Sequence, residues 1–103
     1  MAVSNQLAYT FKKSYSKLFN ALANILRLKI LKLLHEKGSL GYSAIMEQLN
    51  LDVNKDSGKF AYHLQTLRQA KLVTVDKYTK KYRLTPIGKI VTDFLNSLEE
   101  THV

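Results

Sequence analysis

The spacing of apolar residues changes period twice along this chain, and that double change is the strongest constraint on its fold. Leu7, Phe11, Tyr15, Leu18, Phe19 and Leu22 recur at three- and four-residue steps, the mark of an amphipathic helix. That helix is expected to run from about Ser4, its N-cap, to about Ala23. Asn24 caps a second helix, with Leu26, Ile30, Leu33 and Leu34 inward and Arg27, Lys29 and Lys32 outward. Gly38 stops it by supplying left-handed backbone. Ser39-Leu40 has room only for a very short strand. Gly41-Tyr42-Ser43 opens a third helix, with Ile45, Met46 and Leu49 inward, that ends near Asn50. Asp52 to Gly58 reads as turn chemistry, with Asn54 or Asp56 as the cap of a fourth helix. This helix reaches about Ala70 and buries Phe60, Leu64 and Leu67. The period then drops to two. Leu72 to Asp76 and Lys81 to Leu84 form strands joined by Lys77 to Lys80. Thr85-Pro86 restarts helical spacing, with Thr85 as cap and Pro86 at the first helical position. The last helix is expected to end near Leu98. The reading is mostly α with a small β-hairpin, one domain over residues 1–103.

Composition narrows the function. The 103 residues carry a net charge of +8 and no cysteine. Disulfide scaffolds, thiolate metal sites and cysteine nucleophiles are therefore excluded. No apolar run approaches the ~18 residues that a membrane span needs. Met1-Ala2-Val3-Ser4-Asn5 has neither the charged start nor the apolar stretch of a signal peptide. A cytoplasmic, nucleoid-associated location without membrane contact is the expectation. The basic charge is uneven: residues 55–89 hold nine basic side chains against Asp56 and Asp76, while residues 90–103 hold three acids and no Lys or Arg. So small and basic a chain has little room for an enzyme cleft and suits an anionic polymer. No nucleophile–base pair or paired carboxylates suggest catalysis.

Helices followed by a late hairpin and a closing helix are the element order of a winged helix-turn-helix, and particular segments resemble a known family. The run from Ala21 to Leu34 (ALANILRLKILKLL) looks like the opening of ArsR-type winged-helix regulators. Phe60 to Leu67 (FAYHLQTL) is similar to their recognition helix, followed by Ala70 to Val73 and by Tyr82 to Gly88. Ser57-Gly58-Lys59 with Tyr62-His63-Leu64 is most similar to archaeal members. Three departures stand out: Ile25 where the family usually has proline, Lys71 where it usually has glycine, and a longer turn between the third and fourth helices. The resemblance implies a winged helix-turn-helix flanked by N- and C-terminal dimerisation helices, here 4–17 and 86–98. It also implies a homodimeric, sequence-specific regulator of transcription, acting as a repressor on double-stranded DNA.

Specific residues fit that role. A helix in the major groove sets its exposed side chains against base edges. Ser57, Lys59 and Tyr62 are the leading candidates there, followed by Gln65 and Thr66, with Lys55 and Arg68 at the phosphate rim. The hairpin tip carries Lys77, Tyr78, Lys80 and Lys81, with Arg83 behind it, as a wing for the backbone or minor groove. Ser43 opens the third helix, where free amides meet phosphate. Leu7, Phe11 and Tyr15 with Ile87, Ile90, Val91, Phe94, Leu95 and Leu98 form the expected dimer face. Many ArsR-type proteins sense metals through cysteines on the third helix, but here Tyr42 to Glu47 offers none. Asp93, Glu99, Glu100 and His102 on the last helix lack the spacing of a compact ligand set, and His35 reads as alone at a helix end. His63 reads as half-buried beside Leu64. No cofactor or metal is expected. Two other functions stay open: a sequence-tolerant architectural DNA binder, and a winged helix used for protein contacts.

Overall fold

The computed structural model describes residues 15–102, so Ser4, Leu7 and Phe11 lie outside the described residues. Among the described residues there are five helices and three short strands. Helix α1 is described over 15–22 and α2 spans Ile25–Lys37; β1 (Ser39–Gly41) leads into α3 (Tyr42–Gln48), then α4 (Val53–Gln69). Strands β2 (Val73–Val75) and β3 (Lys81–Leu84) precede α5 (Pro86–His102). Asn24 caps α2 by accepting from the Arg27 amide at 3.1 Å, and Gly38 ends it at φ 86°, where a side chain would be strained. Thr85 caps α5 by accepting from the Gly88 amide, while its own hydroxyl donates to the Lys71 carbonyl at 2.7 Å.

The hairpin gains a third strand. The sheet order is β1-β3-β2, all antiparallel, with Leu40 opposite Tyr82 and Val73 opposite Leu84. Ser39-Leu40 has no local alternation to announce it; pairing with β3 across the chain makes it a strand. The core lies between α2, α3, α4 and the sheet, where Ile30, Leu31, Ile45, Phe60, Leu67 and Leu72 are fully buried. Gly88 lets α5 close on this core. A Cβ there would stand 2.1 Å from the Leu72 carbonyl oxygen, a distance no packed structure tolerates.

Five sequence expectations are corrected. The stretch from Asp52 to Gly58 is not a turn, because α4 begins at Val53. Asp52 is the cap, accepting from the amides of Asn54 and Lys55, and Asp56 reaches back to the Asp52 amide at 2.8 Å. This reciprocal capping satisfies donors that the helix start would otherwise leave open. Arg27 does not face water: it is 6% exposed, on the same helical face as Ile30, Leu31 and Leu34. His35 is not alone, since its Nε2 lies 2.6 Å from Asp93 Oδ1 on α5. Phe19, which shares the apolar phase of α1, is exposed. Helix α5 also runs a turn beyond Leu98, and Lys32 pairs with Glu99 across α2 and α5. Among the described residues no helix is long and apolar enough to cross a membrane.

Candidate nucleic-acid interface

Helix α4 is the element around which the basic residues gather. Phe60, His63, Leu64 and Leu67 face the core. The opposite face leaves Lys55, Lys59, Tyr62, Gln65 and Gln69 exposed, with Tyr62 at 63%. Because α4 starts at Val53, Lys55 lies in its first turn and Ser57 does not. The leading candidates Ser57, Lys59 and Tyr62 thus stand in the second and third turns of the helix.

Two of the hydroxyl candidates already serve the fold. The Ser57 carbonyl accepts from Tyr42 Oη at 3.0 Å, and its half-buried Oγ lies 3.3 Å from the same phenol. Tyr42 is held in turn by an edge-on contact with Phe60, ring centres 4.8 Å apart, so α3 and α4 are locked at this point. Thr66 donates its hydroxyl to the Tyr62 carbonyl at 2.9 Å. Gln65 and Gln69 make no such commitment. Ser43, second residue of α3, is exposed.

The loop between β2 and β3 is shaped by Asp76. Its Oδ1 accepts from the backbone amides of Tyr78 and Thr79 at 2.8 and 2.9 Å. The Thr79 amide, then that of Tyr78, holds the carboxyl below its ordinary pKa, with help from the Thr79 hydroxyl and the Arg83 charge. The ionised turn projects Lys77, Tyr78, Lys80 and Lys81 into solvent, and Tyr78 is 93% exposed. Arg83, whose charge acts on Asp76, stands exposed behind this turn. It lines a hollow with His35, Gly38, Lys89 and Asp93, between β3, α2 and α5. Arg68 sits near the end of α4, beside Lys71, Thr74 and Thr85.

Sequence reasoning missed the group that ties α4 to the rest of the molecule. Arg27 Nη1 donates to His63 Nδ1 at 2.8 Å, while Nε and Nη2 donate to the carbonyls of Ala21 and Asn20 at the end of α1. Burial is the largest cause that lowers the His63 pKa, followed by the charges of Arg27 and Lys59. The missed signal was phase. Arg27 stands three, four and seven residues before Ile30, Leu31 and Leu34. Among the described residues no group of His, Asp and Glu could hold a metal ion.

On α5, Val91 and Leu95 are half-buried, whereas Ile87, Ile90, Phe94 and Leu98 are exposed. Tyr15 opens the described part of α1 and is likewise exposed.

A family model described as "Domain of unknown function (DUF7347)" matches residues 15–95. Among solved structures, the chain is similar to the homodimeric winged helix-turn-helix DNA-binding domain (fragment 1–100) of Mb0332 from Mycobacterium bovis, described as a possible ArsR-family transcriptional regulator. The TM-score is 0.81 at 22% identity, covering 99% of this chain and 93% of that one. It is also similar to HlyU from Vibrio cholerae N16961, with a TM-score of 0.69 at 27% identity, covering 84% of this chain and 92% of that one. No curated protein matches. The fold is a winged helix-turn-helix with flanking helices.

Proposed function

The chain belongs to the DUF7347 family, and from the surface it presents on this fold we propose that it is a homodimeric, DNA-binding transcriptional regulator of ArsR-like type, acting as a repressor. Helix α4 enters the major groove, and the Lys77 to Lys81 turn lies on the backbone or minor groove. One observation carries the reading. The exposed face of α4 and the projecting turn hold Lys55, Lys59, Lys77, Lys80 and Lys81 without an acidic partner among the described residues, interleaved with exposed Tyr62 and Tyr78. Lysines neutralise phosphates, and tyrosine and glutamine meet base edges and the thymine methyl group. Mb0332's DNA-binding domain is homodimeric, and the exposed α5 stripe of this chain fits the same assembly.

A salt titration tests the proposal. If a dimer neutralises ~8 phosphates, log K falls with log salt at a slope near −7. Tyr62→Ala and Lys59→Ala are expected to relax preference between a duplex recovered from a random pool and an unrelated one. The pair Lys80→Ala with Lys81→Ala is expected to weaken both duplexes alike. A flat salt response would instead favour the protein-contact module. Equal loss on both duplexes for Tyr62→Ala and Lys59→Ala would favour the architectural binder.

Backbone strain supplies a second check. Lys71 and Lys80 both adopt left-handed backbone, at φ 65° and 62°, where glycine is cheaper by about 1 kcal/mol. Lys71→Gly and Lys80→Gly are each expected to stabilise the fold by roughly that amount in denaturant unfolding. Only Lys80→Gly is expected to weaken duplex binding, because Lys71 lies off the proposed contact surface. Equal binding losses would show that Lys71 touches DNA as well.

A further inference from the structure

Three of the four glycines have a reason within the fold. Gly38 has positive φ, Gly88 lies against the Leu72 carbonyl, and Gly41 is the N-cap of α3. Gly58 has none. It sits inside the 17-residue helix α4 with no positive φ, and a Cβ built on it meets nothing within 4 Å. Glycine is the poorest helix-interior residue after proline, and nothing among the described residues offsets that choice.

Its position is informative. Leu67, nine residues on and therefore about two and a half turns away, is fully buried. Gly58 thus points directly away from the core. Lys55 and Tyr62 flank it on one side of the helix, Asn54 and Gln65 on the other, and all four are exposed. A bare strip of backbone lies at the centre of a ring of polar and cationic side chains. Glycine in a regular element marks a close approach by another molecule when no internal neighbour requires it.

Resting on the DNA-binding reading above, we propose that Gly58 is where the α4 backbone comes closest to bound duplex DNA. The missing Cβ lets the helix sink into the major groove, so that Lys55, Tyr62 and Gln65 reach base edges. A side chain at this position holds the helix off the groove floor. Every contact in the ring then lengthens together.

The test separates fold from contact. Gly58→Ala and Gly58→Leu in the full chain replace glycine by strong helix formers in open space. Each is expected to raise Tm by about 4–8 °C, the effect of the helix-propensity gain in a domain of this size. Affinity for a duplex selected from a random pool is expected to fall about tenfold for Gly58→Ala and further for Gly58→Leu. The salt slope stays at its wild-type value, because no phosphate-neutralising lysine is lost. Raised Tm with unchanged affinity would overturn the proposal. So would a lowered Tm, which would reveal an internal reason for the glycine. If the wild-type chain binds no duplex at all, the DNA-binding reading itself fails, and that outcome is distinct from either.

Discussion

Phe94→Glu is expected to give a folded monomer whose affinity for DNA is sharply reduced. Phe94 is 61% exposed within its own chain, so the protomer core does not depend on it. Ile87, Ile90 and Leu98 continue the same exposed stripe at helical spacing along α5. In the proposed dimer this stripe is buried, and a carboxylate placed there loses its hydration without gaining a partner. That costs several kcal/mol, comparable to the whole association energy of a small interface. A monomer offers one recognition helix and about half the phosphate contacts, so the salt slope is expected to halve. Sedimentation of wild type and variant at micromolar concentration, with circular dichroism to confirm folding, decides the matter. A monomeric wild type would remove the dimer, and a dimeric Phe94→Glu would move the interface off α5.

Most of the architecture was legible because its signals are local. Asn24, Gly38 and Thr85-Pro86 set helix ends by their own backbone chemistry, and the drop to period two located the hairpin. The errors share a physical origin in competition between signals. Asp52 to Gly58 is rich in turn-forming residues, yet Asp52 and Asp56 close a cap around the helix start and outweigh the glycine. Strand β1 lies where a very short strand was expected, at Ser39-Leu40, but its partner β3, about forty residues on, is a contact that no local pattern records. The candidate surface was read by residue type on one helical face, which placed Lys59, Tyr62 and Gln65 correctly on the exposed side. Residue type alone did not show which of these side chains also serve the fold. Ser57 and Thr66 hydrogen-bond inside α4 and its contact with α3, and Arg83 lines the hollow against α5. Arg27 is charged by type and reads as surface, although its helical phase lies with the core.

Arg27 therefore carries the largest expected effect on stability. Its guanidinium satisfies the carbonyls of Asn20 and Ala21, which end α1, and bonds His63 on α4, so three helices meet on one buried side chain. Arg27→Met keeps much of the apolar volume but leaves the Ala21 carbonyl and a ring nitrogen without donors and takes from the Asn20 carbonyl one of its two, the Ala23 amide remaining. Hydrogen bonds to a charged group contribute about 1.5–3 kcal/mol each, and the loss of this set is expected to cost about 3 kcal/mol in denaturant unfolding. The pairing also fixes the state of His63. Arginine has only donors to offer, so Nδ1 accepts and the imidazole is neutral with its proton on Nε2. Burial, Arg27 and Lys59 all lower its pKa below the ordinary 6.5. In the unfolded chain the ring takes a proton below about pH 6.5, whereas the folded chain resists until the pH is lower. The unfolded state therefore holds more protons in that window. The stability that neutral His63 contributes is complete above pH 6.5 and is lost as the pH falls toward the folded-state pKa. Wild type is expected to lose more stability between about pH 7.5 and 5 than His63→Gln, whose amide oxygen accepts from Arg27 without titrating. The His35–Asp93 pair is present in both proteins and cancels in the comparison. Parallel losses in the two proteins would show that the Arg27–His63 contact does not control the acid limb, and an unchanged stability in Arg27→Met would show that it does not hold α4 in place.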